Sequence, residues 1–278
     1  MSIIEFTVVV MAASAGAGYL GALTGLGGGV VVTPVLVLML GVDMRYAIGA
    51  TVLSVIATSS GAAAAYVREG FSNIRIGMLL EVATVTGAVV GAALTAYLST
   101  SSLSVIFGGA LLVSAWLASH PRPEGASGMA EDGLAARLEL NGSYPGERGP
   151  QRYTVHHIPG GFGLMFGAGV ISGLLGIGSG ALKVLALDQV MRIPFKVSTA
   201  TSNFMIGVTA AASAGIYWHR GYVEPGLAMP VVVGVLAGSL IGARQLAAAP
   251  VRRLRLVFAL AVSVLALQMI YGGIRGKI

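Results

Sequence analysis

Two glycine-rich stretches, one in each half of the chain, restrict its fold more than any other feature. Gly25-Leu26-Gly27-Gly28-Gly29 returns as Gly176-Ile177-Gly178-Ser179-Gly180, and the correspondence runs far beyond them. Gly16-Ala17-Gly18 pairs with Gly167-Ala168-Gly169, Ala50-Thr51 with Ala200-Thr201, Tyr66 with Tyr217 and Gly70 with Gly221. Gly87-Ala88-Val89-Val90-Gly91-Ala92 likewise pairs with Gly238-Ser239-Leu240-Ile241-Gly242-Ala243. Self-similarity of this length means one structural unit used twice, too few copies for a solenoid.

The solvent for which these halves are built follows from composition. The chain is 55% hydrophobic and only 10% charged, against about 25% charged residues in a soluble domain. Its mean hydropathy is +0.85. These values describe an integral membrane protein. Long uncharged runs such as 48–66 favour helices over the short alternating segments of a transmembrane barrel. At ~20 residues per span, eight to ten spans fit the length. With no cysteine, disulfides, thiol ligands and thiol redox chemistry are ruled out. The first 23 residues resemble a signal peptide in hydropathy, but they carry Glu5 in place of a basic start and run into the repeat, so we expect them to be retained.

The apolar segments are 3–23, 30–40, 48–66, 76–98 and 103–118, then 160–174, 181–190, 197–218, 224–246 and 256–274. The organisation is thus an N-terminal transmembrane repeat (1–118), a linker (119–158) and a C-terminal transmembrane repeat (159–278). The second segment of each half reaches only ~17 Å at 1.5 Å per residue, about half the hydrocarbon thickness. Each glycine loop is therefore expected to sit recessed in the membrane. The linker, rich in Pro, Gly, Ser and charge, reads as extramembrane and partly disordered, with a short helix near 134–140.

Basic residues give the topology. If every segment changes sides, eleven (Arg68, Arg75, Arg122, Arg137, Arg148, Arg152, Arg192, Lys196, Arg252, Arg253 and Arg255) share one side against four opposite. The positive-inside rule then puts the linker in the cytoplasm and both termini outside. The same distribution accounts for the net charge of +6 without nucleic acid. An odd number of crossings per half makes the halves inverted repeats, an arrangement common in secondary transporters, with the substrate near the midplane.

A glycine loop feeding a helix presents unpaired backbone N–H groups and the positive end of the helix dipole. Two such loops, recessed from opposite faces, suit a small anion. Gly25, Gly27, Gly28 and Gly29 with Gly176, Gly178, Ser179 and Gly180 are the expected backbone cradle. Thr51 and Ser54 on the third segment, and Thr201, Ser202 and Asn203 on its counterpart, are the expected polar complement. Ser and Thr also bond back to their own helices, whereas a carboxamide deep in an apolar run needs several partners. Lys183 lies inside the short second helix, where a buried charge is costly and commonly functional. It is expected to meet the anion, to pair with a carboxylate such as Asp188, or to snorkel; its counterpart is Val32. Glu81 is a candidate for a coupling proton, with snorkelling to the nearby membrane face as the simpler expectation, and Arg244 reads the same way. His156 and His157 read as solvated. Gly87/Gly91 and Gly234/Gly238/Gly242, at four-residue spacing, read as close-packing positions.

Other motifs fail on context. Gly16-Ala17-Gly18-Tyr19-Leu20-Gly21 satisfies G-x-G-x-x-G, but no βαβ pattern follows it. Gly178-Ser179-Gly180 lacks the glycine two before serine that a nucleophile elbow needs. No P-loop, cofactor motif or metal-ligand cluster is present, and no clustered acid, base or nucleophile suggests an enzyme.

The two loops, Pro34 downstream of the first, and Ala200-Thr201-Ser202-Asn203-Phe204 after the basic turn Arg192-Ile193-Pro194-Phe195-Lys196 resemble the sulfite exporter TauE/SafE family of membrane permeases over nearly everything except the linker. The resemblance implies movement of small sulfur-containing anions, such as sulfite or organosulfonates, across the bacterial cytoplasmic membrane, generally outward. Ser179 in place of a second Gly28, Leu185 in place of a second Pro34, and the long linker depart from the pattern. The implied partners are a small anionic substrate and the lipid bilayer. A passive anion channel, a scaffold presenting the linker to a partner, a homo-oligomer and, last, an intramembrane enzyme stay open at this point.

Overall fold

The apolar runs fold as helices because nothing else satisfies their backbone in hydrocarbon. The computed structural model describes residues 3–24, 29–119, 133–146, 149–246 and 251–276. In the first half α1 is Ile3–Thr24, α2 Gly29–Leu40, α3 Met44–Arg68, α4 Ile74–Leu94 and α5 Thr100–Ser119. The linker contributes α6, Gly133–Arg137, and strands β1, Gly142–Gly146, and β2, Gly149–Tyr153. The second half holds α7, Ile158–Leu175, then α8, Gly180–Leu185, which continues as a π-helical turn over Ala186–Val190. It ends with α9, Phe195–His219, α10, Pro225–Leu246, and α11, Val251–Ile274.

Equivalent glycines stop equivalent helices. Gly70 and Gly221, with φ of 75° and 72°, follow α3 and α9, where a left-handed residue releases the chain from the helix at little cost only if it lacks a Cβ. Helices α1 and α10 pack together, as do α4 and α7, α5 and α11, and α3 and α9. The first two interfaces match residue for residue. A Cβ on Gly87 would be driven into the carbonyl of Phe166, and one on Gly238 into that of Ala15, the equivalent residue. Gly169 faces the carbonyl of Thr84 as Gly18 faces that of Val235. These glycine stripes let backbones touch, as their four-residue spacing predicts; Gly242 lies among residues whose side chains are not described.

Outward stripes of large apolar side chains run along the helices: Met78 (58% exposed), Val82 and Val89 on α4, and Leu260, Val264 and Leu267 on α11. A soluble surface would leave such bands in water; here they face lipid. Among the described residues, α4 and α7 are each long and apolar enough to cross a bilayer alone.

The described residues of the linker include a hairpin as well as a helical turn. Strands β1 and β2 pair antiparallel from Gly142↔Tyr153 to Gly146↔Gly149, and the expected helix near 134–140 is one short turn over Gly133–Arg137. Tertiary contacts explain this. Ala135, Leu140, Tyr153 and Val155 join a core with Ile76 and Leu80 of α4 and with Leu187, Met191 and Val197 beside α9. Asn73 caps α4 through its side-chain oxygen and donates its amide to Leu140 O and the Tyr153 hydroxyl, at 2.9 and 2.8 Å. His156, read from sequence as solvated, is 9% exposed, with its backbone N–H on Met191 O.

Candidate functional site

The second glycine loop is shaped by three left-handed residues within four positions. Gly176 ends α7 with φ 67°, its N–H still bonded to Ser172 O at 2.8 Å, and Gly178 (φ 73°) and Ser179 (φ 44°) are also left-handed. A Cβ on Gly176 would meet Ile48 and Val52, and one on Gly178 would meet Ile206 and Val55. The loop thus wedges between α3 and α9. Ser179 is committed structurally: its hydroxyl donates to Ala168 O at 2.5 Å. Gly180 opens α8, and its carbonyl takes a hydrogen bond from Ser202 Oγ at 3.2 Å.

From the first loop, Gly25, Gly27 and Gly28 lie outside the described residues. Gly29 is the first residue of α2 and is buried. An added Cβ there would sit 3.1 Å from Thr51 Cγ2 and 3.6 Å from the Cα of Ile177. The end of one loop therefore touches the middle of the other, with α3 closing one side.

The polar complement divides into residues that face this junction and residues that serve packing. Thr51 is fully buried, accepts from Thr33 Oγ1 at 2.8 Å and donates to Ala47 O. Ser54 donates back to Thr51 O, and Asn203 donates its amide to Thr199 O at 3.0 Å. Thr201 lies away from the loops: its hydroxyl accepts the backbone N–H of Asn73, at 3.0 Å, tying α9 to the turn that carries the linker. Thr51 and Thr201, equivalent in sequence, thus have different partners.

Of the courses left open for Lys183, snorkelling is ruled out, and the carboxylate near it is Glu81 in place of Asp188. Lys183 is fully buried on α8, and its ammonium donates to Thr209 Oγ1 at 2.5 Å. Thr209 in turn donates to Glu81 Oε1 at 2.5 Å. The carboxylate that answers Lys183 is Glu81 on α4, with Thr209 of α9 between them. Glu81 is 5% exposed, turned inward where the simpler expectation had it reaching a membrane face. Its Oε2 is buried with no hydrogen-bond partner. Thr209 and Thr33 were not anticipated. Thr209 follows Ser202 by seven residues on the buried stripe that also holds Met205, Ile206 and Ser213, and that spacing was the available signal. For Thr33, one residue past the counterpart of Lys183, the signal was burial in a half-length helix.

Among the described residues no group of His, Cys, Asp or Glu side chains is arranged to hold a metal. What these residues offer is backbone from two loops and one buried cation with a bridged carboxylate. The model of the family described as "Sulfite exporter TauE/SafE" matches residues 10–269. The chain belongs to this family. It is accordingly a membrane transporter. Two relatives agree: "Probable membrane transporter protein YunE" of Bacillus subtilis (strain 168) is 27% identical over 269 residues, covering 93% of this chain and 95% of that protein. "Probable membrane transporter protein YdhB" of the same organism is 27% identical over 221 residues, 79% of this chain and 82% of its own length. No solved structure matches the chain.

Proposed function

We propose that this TauE/SafE transporter is a multi-pass secondary carrier of small sulfur-containing oxyanions, such as sulfite or organosulfonates, in the bacterial cytoplasmic membrane. The two halves are inverted repeats with eight to ten crossings and a cytoplasmic linker, and they rock about the paired glycine loops to give alternating access. The observation that carries this reading is the meeting of Gly29 with Ile177, with buried Lys183 three residues beyond Gly180. Loop amides, a helix start and one cation together complement a compact negative charge. The matched α1–α10 and α4–α7 interfaces support two units able to move against each other, since equivalent contacts have similar energies on either side.

The test is uptake of labelled sulfite and isethionate into proteoliposomes. Saturable flux that drops at least tenfold in Lys183→Ala and in Gly180→Val is expected. Equal counts in protein-free vesicles, wild type and variants would overturn the proposal. Single-cysteine labels near Arg45 and Lys196, introduced into a chain with no native cysteine, should react from opposite sides of the membrane. Reaction from the same side would remove the inverted arrangement.

A further inference from the structure

We infer that Glu81, Thr209 and Lys183 form a coupling site, at which one substrate monoanion on Lys183 and one proton on Glu81 are carried together. This rests on the transport reading above. Two ionisable side chains, from α4 and α8, converge on a single hydroxyl of α9. Lysine only donates, so Thr209 Oγ1 accepts from Nζ, and its own proton lies within reach of Glu81 Oε1 and of Met205 O, the latter at 2.8 Å. Lys183 and Glu81 together carry a net charge of zero. The remaining vacancy is Glu81 Oε2, buried without a partner. A buried carboxylate oxygen left unpaired is costly, and it is the atom on which a proton would sit.

Charge balance supplies the coupling. An anion seated on Lys183 takes over the counter-charge that Glu81 provides, leaving two negative groups against one cation in a space from which water is excluded. An uncompensated charge there is strongly disfavoured. Protonating Glu81 restores neutrality with the anion bound; release of the anion restores it with the proton gone. The loaded carrier therefore holds both, and the empty carrier neither.

Among the described residues, each member of the pair has the other as its charged neighbour. Helices α5 and α7, which pack on α8, contain no charged residue, and the charged or titratable residues of α9 are Lys196 in its first turn and Tyr217 and His219 in its last. Arg75, in the first turn of α4, is paired with Glu139. Asp188 is half-buried, five residues past Lys183 on the π turn, and is the acidic residue of that segment. Each has an apolar counterpart in the other half: Val32 for Lys183 and Val232 for Glu81. The proton count is therefore one per transport cycle.

The test measures anion and proton together. Proteoliposomes enclosing a pH dye receive an inward gradient of isethionate or methanesulfonate, monoanions throughout the neutral range, so every proton that appears inside has crossed with the protein. Wild type should acidify the lumen by about one proton per anion. Glu81→Gln should lower that ratio at least tenfold. Anion flux without acidification in wild type, or an unchanged ratio in Glu81→Gln, would overturn the inference while leaving the transport reading intact. Absence of flux for sulfite, isethionate and methanesulfonate alike would instead remove the transport reading, and this inference with it. Should Glu81→Gln fail to fold, the wild-type ratio decides alone.

Discussion

The two short helices behind the glycine loops occupy equivalent places and carry different chemistry. On α2 the buried polar residue is Thr33, which bonds to Thr51 of the neighbouring helix in its own half. On α8 it is Lys183, whose charge is answered across the repeat boundary by Glu81 of α4. The α1–α10 and α4–α7 interfaces, by contrast, share equivalent glycine contacts at Gly18 and Gly169 and at Gly87 and Gly238. The comparison teaches that small residues recur where backbones touch, while the buried polar residue of the short helix differs between the halves. A second buried charge pair on α2 would double the desolvation cost.

The largest effect should come from breaking the charged side of this comparison alone. Lys183→Met leaves Glu81 buried beside a hydroxyl with no cation, and removing one partner of a buried pair costs about 3–5 kcal/mol. Thermal unfolding in detergent should show this as the steepest loss of any single change considered. Lys183→Met combined with Glu81→Leu should regain most of it, because no lone charge then remains. At the equivalent site Val32→Met should cost less than half as much, since one apolar side chain replaces another. Equal losses at positions 32 and 183 would mean that packing, not charge, distinguishes the two helices.

Next comes the backbone of the loops. Gly178 has φ 73° and would place a Cβ against Ile206, so Gly178→Ala should cost about 1–3 kcal/mol through strain that no repacking removes. Gly29 is helical, so Gly29→Ala meets only Val55, Thr51 and the facing loop, and it regains about 1 kcal/mol of helix propensity. Denaturation midpoints should rank Gly178→Ala below Gly29→Ala. The reverse order would show that the tight approach at position 29 outweighs the left-handed conformation at 178.

How much of this was legible in the sequence depends on how far apart the partners lie. The glycine stripes and the half-length helices are local patterns, and the spacing of Gly87 and Gly91 or the length of the run at 30–40 was sufficient. The partner of Lys183 was not, because α4, α8 and α9 meet only in the folded chain. Asp188 was the nearest acidic residue along the sequence, and nothing local marked Glu81 as turned inward. The hairpin of the linker was hidden for the same reason: its strands are rich in Pro and Gly, and what holds them, Asn73 and the core around Met191, is remote in sequence. Thr201 illustrates both points: the repeat predicted its position, but its bond to Asn73 gives it a task that Thr51 does not share.

That asymmetry makes the linker attachment the third test. Tyr153 accepts from Asn73, and burial raises its phenol above the usual tyrosine value, opposed in part by that same bond. The docked linker therefore favours the neutral phenol. Its stability is complete below the unfolded value of about 10 and is lost as pH rises through the higher folded value. Hydrogen exchange of residues 133–146 and 149–157 should accelerate above about pH 10 in wild type. In Tyr153→Phe, docking should be weaker by about 1 kcal/mol at neutral pH and without the alkaline step that Tyr153 contributes. An unchanged alkaline step in that variant would place the titrating group elsewhere.

The smallest effect belongs to the uncharged side. Thr33→Val removes the donor to Thr51 Oγ1, but Thr51 still donates to Ala47 O within its own helix, so no donor is orphaned. The cost should be about 0.5–1.5 kcal/mol, the ordinary net worth of one hydrogen bond. Transport, measured as sulfite flux per folded carrier, should fall less than threefold, because the charge balance on α8 is untouched. If Thr33→Val stopped transport as completely as Lys183→Ala, the two short helices would be working as equal halves of one binding site. The division drawn between a structural α2 and a charge-bearing α8 would then have to be given up.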